Sequence, residues 1–391
     1  MRAQTDKQEA NVKGDGGRKR RARFWKFLYA CGERTVPKRS GYSFDVIDLE
    51  PPFLMISNHV TNDDPFYTGL AYKKAPLAYV ASEHIFRKGL LTKLLMRYLY
   101  PIPRPKADSG VGAVRAVLKR LREGDPVVLF AEGDCTWDGV SGKSFPATGK
   151  LAKASGVPLV TYRLEGGYLT SPRWSKKPRR GSMRGRIVNI YSPEELRGMT
   201  ADAVEDAINR DIYYDTWKAQ TEDPVPFISK APAEGLERAL FICPECGDAG
   251  FMASKGDAFF CKKCGAEWKL DEYGFLKGPR FGTSAEWDAW QKQAVKDVRT
   301  KELFPSRCLI TDFDAGTKKK TEVSLDTEER VIRLGDGGEV KLSDITDMAM
   351  IKTGRLLFTD CAGYHEIKSK HGILRPYLVA WQAYREETED R

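Results

Sequence analysis

The chain has 391 residues, of which 41% are apolar and 30% charged, and its formal net charge is +10. A chain of this length can bury a large core, and we expect two or three domains. No apolar run approaches the ~20 residues that a membrane-spanning helix needs, and the N-terminus lacks the apolar stretch of a secretory signal. The sequence therefore predicts a folded, cytoplasmic protein.

Basic residues concentrate in two segments. Residues 1–26 carry nine Lys or Arg against three acidic residues, and residues 171–186 carry seven Lys or Arg and no acidic residue. Such local basicity indicates anionic contact surfaces, and nucleic acid and anionic lipid are both candidate partners at this point.

The first basic segment interleaves its cations with aromatic residues. We expect residues 1–23 to be flexible, while residues 18–29 place Trp25 and Phe27 among Lys and Arg. That composition is typical of a segment that lies on an anionic membrane with its aromatic side chains inserted, and a solvated tail is the alternative. The second basic segment is expected to contact the same surface, with Trp174 as its anchor.

The first two hundred residues alternate between short apolar runs and helical patterns. Apolar residues spaced three and four apart predict helices over residues 90–100 and 111–123, and Gly124 is placed to end the second of these helices. The alternation predicts an α/β domain in which helices cover a sheet. The apolar runs that predict its buried strands are residues 53–56, 76–81, 125–133 and 157–164.

Within the first strand-to-helix connection, His59 stands five positions before Asp64. An imidazole can accept a proton near neutral pH, and a carboxylate on its other ring nitrogen fixes the tautomer and stabilises the imidazolium. The pair therefore predicts a general base with its orienting partner. A structural interpretation stays open, because Asp64 precedes Pro65 and would be suited to cap a helix that begins there.

Capping signals mark the helices that follow the second basic segment. Ser192 precedes Pro193 and stands three residues before Glu195, which is the pattern of a capping box with proline at the first helical position. Two helices should then close the first domain near residue 220, so that this domain spans 24–225.

Four of the eight cysteines form a metal-site pattern. Cys243 and Cys246 are followed, after fourteen intervening residues, by Cys261 and Cys264. This spacing is typical of four thiolates around a structural Zn²⁺ ion and predicts a zinc ribbon over residues 238–275, with two disulfides as the alternative that a reducing cytosol disfavours. The cysteines interpreted as ordinary thiols are Cys31, Cys135, Cys308 and Cys361.

The C-terminal part of the chain predicts a linker helix and a second sheet. Thr283 and Glu286 begin a helix over residues 283–300. Alternating apolar and polar residues then predict small antiparallel strands that the last helix closes, within a domain over residues 306–390. This layout resembles a pleckstrin-homology-like or GRAM-like module, a class that often binds lipids or partners, and a packing domain is the alternative.

Four sequence blocks occur in order along the first domain. They are NHVTNDD at 58–64, EHIFRKG at 83–89 with IPR at 102–104, FAEG at 130–133 and VPLV at 157–160. Together they resemble the glycerolipid acyltransferase family typified by 1-acylglycerol-3-phosphate acyltransferase. The resemblance covers roughly residues 24–220.

The resemblance implies an acyl transfer reaction and its residues. His59 would be the general base and Asp64 its orienting partner. An acyl thioester is already activated, so no enzyme nucleophile is required if the base deprotonates an acceptor hydroxyl held next to the carbonyl. The candidate contacts to a glycerol-phosphate acceptor are Arg104, Glu132, Gly133 and Asn58.

The same resemblance sets the expected partners. The donor would be acyl-CoA or acyl carrier protein, the acceptor would be a lysolipid, and the enzyme would be peripheral on the inner face of the cell membrane. The third block departs from the family pattern EGTR, since Asp134 and Cys135 stand at the threonine and arginine positions. One expected phosphate contact is therefore missing, although Arg173, Arg179 and the neighbouring cations are candidates to replace it.

A function of another class is the alternative. A chain with a zinc ribbon and basic segments is also suited to be a non-catalytic scaffold that binds anionic lipid or nucleic acid. The fourteen residues between the two cysteine pairs contain one lysine and two acidic residues, so the ribbon lacks the basic face that phosphate contacts require. The sequence thus favours an enzyme and does not favour nucleic acid as a partner.

Overall fold

The computed structural model describes residues 15–82, 101–104 and 111–389, and the described chain divides into two units. Unit 1 holds the residues up to Thr136 together with Val140–Thr170 and Arg180–Ala219. Unit 2 holds Trp137–Gly139, Ser171–Arg179 and the residues from Gln220 onward.

Unit 1 is built on one sheet whose strands are short and apolar. The strand order is β1-β7-β6-β2-β5-β3-β4, and every neighbouring pair is parallel except β6 with β7. The four predicted strands are present, with ends shifted by a few residues. In chain order the strands are β1 (Tyr42–Phe44), β2 (Leu54–Ser57), β3 (Ala78–Ser82), β4 (Ile102–Arg104), β5 (Val127–Phe130), β6 (Leu159–Glu165) and β7 (Met183–Tyr191).

Two helices that follow β7 begin at capping residues, Ser192 and Thr200. Ser192 forms the predicted capping box with Glu195, while the predicted helix over 90–100 lies outside the described residues. The helices are α1 (Asp15–Ser40), α2 (Asp64–Leu70), α3 (Val111–Arg122), α4 (Thr148–Ser155), α5 (Gly167–Thr170), α6 (Pro193–Gly198), α7 (Ala201–Ile212) and α8 (Thr216–Glu222).

Both faces of the sheet are buried, as expected for parallel strands with helices on each side. On β2, Met55 belongs to an apolar core with residues of α2, while Leu54 and Ile56 belong to a second core with residues of α3, α4 and α7. The predicted α/β layout of the first domain is therefore confirmed.

Helix α1 packs on the rest of unit 1 through buried side chains. Residues 15–23, which were expected to be flexible, are helical. The indole of Trp25 is buried and donates a hydrogen bond from Nε1 to the carbonyl oxygen of Tyr72 at 3.2 Å. Arg21 is buried as well and lies 3.9 Å from the carboxylate of Asp125. Trp25 is therefore a core residue, and its predicted insertion into a membrane is wrong.

Unit 2 begins with a small antiparallel sheet that contains the cysteine pairs. Its order is β11-β10-β9-β8, and α9 (Ser284–Ala294) follows with the predicted capping box of Thr283 and Glu286. The indole of Trp287 on α9 is fully buried and donates to the carbonyl oxygen of Ile242 at 2.9 Å. The strands are β8 (Met252–Lys255), β9 (Ala258–Cys261), β10 (Glu267–Leu270) and β11 (Leu276–Lys277).

The C-terminal sheet is antiparallel throughout and is closed by a helix, as the alternating sequence predicts. Its order is β15-β14-β13-β12-β18-β17-β16. Arg375 at the start of the last helix makes a buried ion pair of 2.7 Å with Asp288 of α9. The elements are β12 (Leu303–Asp312), β13 (Lys318–Asp326), β14 (Val331–Leu334), β15 (Glu339–Lys341), β16 (Asp347–Ile351), β17 (Arg355–Asp360), β18 (Gly363–Lys368) and α10 (Arg375–Glu389).

Part of the second basic segment has a structural role inside unit 2. Trp174 is 2% exposed and packs in the apolar core of the cysteine-containing sheet, so the prediction that it anchors the chain in a membrane is wrong. Arg173 and Arg179 are also buried, and their guanidinium groups donate to the carbonyl oxygens of Lys352 and Pro232. These two arginines are therefore not placed to bind an acceptor phosphate. Within the described ranges, no helix combines the length and apolar character needed to cross a bilayer.

Candidate active site and metal site

His59 lies just beyond the carboxyl end of β2, and the parallel neighbour β5 ends at the same level. Ser57, the last residue of β2, pairs with Phe130 on β5 and with Tyr162 on β6. Loops that leave the same edge of a parallel sheet converge, and open α/β sheets bind ligands in the crevice that forms there. The connection after β2 therefore meets the loop after β5, which contains Glu132 and Cys135.

The predicted His59 and Asp64 pair is in contact. Nδ1 of His59 lies 2.7 Å from Oδ2 of Asp64. The carboxylate is fully buried and also accepts hydrogen bonds from the backbone N–H groups of Val60 and Thr61 and from the hydroxyl of Thr61. Asp64 is the first residue of α2, but the amides that it binds precede the helix. It thus holds the turn together while it orients the imidazole.

Glu132 contacts the backbone of the base. Its Oε1 accepts from the N–H of His59 at 2.8 Å, and its Oε2 accepts from the N–H of Gly142 at 2.6 Å. Burial raises the pKa of Glu132 to about 7, and the hydrogen bonds from these two amides only partly offset this rise. Glu132 therefore positions His59 through the backbone of that residue. The predicted contact of Glu132 with the acceptor stays a prediction.

Two side chains that the sequence analysis did not assign to the site enclose the imidazole. The ring of Phe130 stacks on the ring of His59 with centroids 4.5 Å apart. Sγ of Cys135 lies 3.5 Å from Nδ1 and 3.4 Å from Nε2 of His59. Near-equal distances to both nitrogens mean that the sulfur does not lie in line with the Nε2 lone pair. The only sequence signal for this contact was the position of Cys135 inside the EGDCT block.

The charge state of His59 reflects these neighbours. Burial acts to lower its pKa, but the neighbouring Cys135 side chain and the Asp64 carboxylate raise it by more, so the pKa of His59 lies well above 6.5. The side chain is 20% exposed, so part of it is accessible from outside. A histidine that is oriented on one nitrogen and partly accessible is suited to general base chemistry.

The remaining predicted acceptor contacts differ in what the structure shows. Asn58 is fully buried, and its amide both donates to and accepts from the backbone of Leu164, so its visible role is to fix the strand end and its predicted substrate contact stays untested. Gly133 has φ +77°, and a Cβ there would collide with the ring of Phe145. The backbone of Arg104 ends β4, the strand paired with β3. The block at residues 83–89 lies outside the described residues.

The four cysteines of the predicted metal site are brought together in unit 2. Their sulfur atoms all lie within 4.8 Å of one another, with Cys243 and Cys264 3.6 Å apart and Cys246 and Cys261 3.9 Å apart. Tetrahedral zinc with Zn–S bonds of about 2.3 Å requires sulfur atoms roughly 3.8 Å apart. The cluster therefore fits a metal ion such as zinc, and none of these thiols is in a disulfide.

The fold places a His–Asp pair at the carboxyl edge of a mostly parallel sheet, and a comparison with known families identifies this part of the chain. Residues 32–165 match the family model Acyltransferase, and this part of the chain belongs to that family. The resemblance predicted from the sequence blocks is confirmed over this range. Residues 234–270, which include all four clustered cysteines, match the family model Ribosomal protein S27a.

Comparisons with whole proteins give weaker likenesses. No curated protein matches the chain. Among solved structures, the chain is similar to the 1-acyl-sn-glycerophosphate (LPA) acyltransferase PlsC from Thermotoga maritima, with 22% identity, coverage of 50% of this chain and 80% of that chain, and a TM-score of 0.42. It is also similar to Inner Membrane Complex Sub-compartment Protein 3 from Toxoplasma gondii, with 11% identity, coverage of 22% and 72%, and a TM-score of 0.16. The assignment of residues 32–165 rests on the family model.

The contacts of His59 predict a measurable titration. Its imidazole signals in NMR spectra should titrate above the usual 6.5, and Asp64→Asn should shift the midpoint downward because the variant removes a negative charge from Nδ1. The exposed His371 serves as an internal reference, and thermal unfolding checks that the variant folds. A His59 midpoint at or below 6.5 in the unmodified protein would contradict the electrostatic account.

The cysteine cluster predicts one zinc ion per chain, and its removal should unfold the ribbon, because so small a sheet has little other stabilisation. Mass spectrometry of the native protein should count the metal. Cys261→Ser with Cys264→Ser should give metal-free protein that proteases cut selectively between about residues 225 and 305, while unit 1 stays resistant. Cys31→Ser with Cys361→Ser removes two exposed thiols as the matched control. A metal-free ribbon that resists proteolysis equally well would overturn this prediction.

Proposed function

We propose that the chain transfers a fatty acyl group from an acyl thioester, either acyl-CoA or acyl carrier protein, to the hydroxyl of a lysophospholipid or glycerol-phosphate-type acceptor. The observation that supports this most directly is the 2.7 Å contact between His59 and Asp64 at the carboxyl edge of the sheet, inside the segment that matches the acyltransferase family. Zinc is the metal that we propose for the cysteine cluster, with a structural role in unit 2.

Each atom of the pair has a task in the proposed reaction. Because the pKa of His59 is raised, the imidazolium must first lose its Nε2 proton to solvent. The Asp64 carboxylate then holds the remaining proton on Nδ1, which leaves the lone pair of Nε2 to accept the proton of the acceptor hydroxyl. The resulting oxygen nucleophile attacks the thioester carbonyl. As the tetrahedral intermediate collapses, the departing thiolate takes the proton from the imidazolium. Asp64 stabilises the imidazolium between the two steps without becoming protonated itself.

The membrane contact that we propose uses the exposed face of α1. Four cations and one large aromatic residue share that face, since their spacing of three and four residues places them on one side of a helix, while Arg21 and Trp25 point into unit 1. Phe27 is 65% exposed, so it replaces Trp25 as the side chain suited to insert into lipid. The exposed cations are Lys19, Arg20, Arg23 and Lys26.

The role of His59 as the base predicts a large loss of activity on its removal. His59→Ala should lower acyl transfer by about 10² to 10⁴, the usual contribution of a positioned base, and Asp64→Asn should lower it less because the base itself remains. Initial rates with labelled acyl donors and a panel of lysolipids measure both. His371→Ala, which removes an exposed histidine, is the control. Full activity of His59→Ala, with folding verified by circular dichroism, would sink the proposed mechanism.

The basic face of α1 predicts salt-sensitive binding to anionic vesicles. Each cation near the surface contributes about 1 kcal/mol, so replacing Lys19, Arg20 and Arg23 by glutamine should weaken co-sedimentation roughly 100-fold at low salt. Arg21 is left unchanged because it is buried against Asp125. The matched control replaces three exposed cations of α3 and α4, which are Arg115, Arg122 and Lys150. Binding that is equal for neutral and anionic vesicles and unaffected by salt would count against this surface.

A further inference from the structure

Cys135 lies in the site next to His59, although base catalysis by His59 does not require a cysteine there. Its side chain is 5% exposed, and Sγ lies within 3.5 Å of both ring nitrogens of His59. His59 is in turn fixed by Asp64 through Nδ1. A nucleophile next to a base, with the base oriented by a third group, is the arrangement that covalent catalysis requires.

We propose that Cys135 is a catalytic nucleophile that carries the acyl group between donor and acceptor. This inference rests on the proposed acyl transfer function and changes its course from direct transfer to two successive transfers. Direct transfer requires no enzyme nucleophile, because a thioester donor is already activated. A cysteine intermediate keeps that activation, since the acyl group stays in a thioester until the acceptor attacks.

The two transfers balance in atoms and charge. In the first, the Cys135 thiolate attacks the thioester carbonyl, the new C–S bond forms, the donor C–S bond breaks, and the departing donor thiolate takes the proton held by the His59 imidazolium. In the second, Nε2 of neutral His59 takes the proton of the acceptor hydroxyl, whose oxygen attacks the Cys135 thioester. The C–O bond of the product forms, the Cys135 C–S bond breaks, and the thiolate and imidazolium are regenerated.

The electrostatics of the contact favour the reactive form of the thiol. The thiolate is the nucleophile, and a neighbouring imidazolium stabilises it. Attraction between opposite charges depends on distance more than on alignment, so a sulfur beside the ring is stabilised although it is not in line with Nε2. The same placement leaves the in-plane direction of Nε2 to the acceptor hydroxyl in the second transfer.

A second buried cysteine shows what this contact adds. Cys308 on β12 is 3% exposed, close to the burial of Cys135. Burial raises the pKa of its thiol, and the hydrogen bonds from Ser306 and Ser369 only partly offset this rise. The side chains that bond to its thiol in the described structure are Ser306 and Ser369, so Cys308 is a matched reference for a buried thiol that contacts hydroxyl groups instead of an imidazole.

The test is acylation of the full-length protein without an acceptor. Acyl-CoA should load one acyl group on Cys135, found by peptide mass spectrometry, at a rate at least as fast as turnover, and added lysolipid should remove it as product forms. Cys135→Ala and Cys135→Ser should lower transfer at least about 100-fold, while Cys308→Ala should not. Steady-state rates should follow ping-pong kinetics.

Several results would overturn the proposal. If the native protein transfers acyl groups while Cys135→Ala keeps more than about a tenth of the rate, the nucleophile is excluded and the direct transfer by His59 stands. An adduct that forms only on the exposed Cys31 or Cys361, or one on Cys135 that loads or discharges more slowly than turnover, has the same consequence. If no lysolipid of the panel accepts an acyl group and no adduct forms, both the nucleophile and the proposed function fail.

Discussion

The arrangement of the site depends on one buried carboxylate. Asp64 has no exposed surface, and an ionised group removed from water costs several kcal/mol unless its partners compensate. Here two backbone amides, one hydroxyl and the imidazole of His59 supply those partners. In the observed conformation of the turn between β2 and α2, all of them bind this carboxylate at once. The hydrogen bonds that compensate the buried charge of Asp64 therefore also fix the orientation of His59.

The loop after β5 holds the same histidine from its other side. Glu132 accepts from the backbone N–H of His59, and the N–H of Thr136 donates to the backbone carbonyl of His59 at 3.0 Å. The three residues between these anchors must then pass next to the imidazole. That constraint explains why Cys135 contacts the ring. It also explains why the first of these three residues is Gly133, which has a positive φ. Two loops joined by two hydrogen bonds thus define the geometry around one side chain.

Local sequence signals were enough to predict four of the seven strands of unit 1, the capping boxes, the cysteine cluster and the His59 and Asp64 contact, because each depends on residues close together in the chain. Apolar runs marked these strands of unit 1, and the spacing of five residues marked the acid and base. The contact of Cys135 with His59 joins positions 76 residues apart, and no local pattern reports it. The same holds for Glu132, whose amide partner at His59 is 73 residues away.

The tryptophans show why composition alone misled the assignment of surfaces. A basic segment with interspersed aromatic residues is typical of a membrane-binding helix, but a helix that packs on its own domain has the same composition. What distinguishes the two is which residues share a face. In α1 the cations and Phe27 lie on one side and Trp25 on the other, whereas in the second basic segment Trp174 is enclosed in the core of unit 2. Only the three-dimensional contacts resolve this difference.

The ionised form of Glu132 has a thermodynamic cost that points to function. Because burial raises its pKa from 4.5 to about 7, the folded state binds a proton more tightly than the unfolded chain does. Its contribution to stability is then complete below about pH 4.5 and is lost as the pH rises through about 7. Above that pH the carboxylate is charged at a cost in stability, yet it still accepts from His59 and Gly142. An ionised Glu132 thus lowers the stability of the fold while it positions the backbone of His59. Such a residue is expected at a site where the geometry of the base matters more than stability.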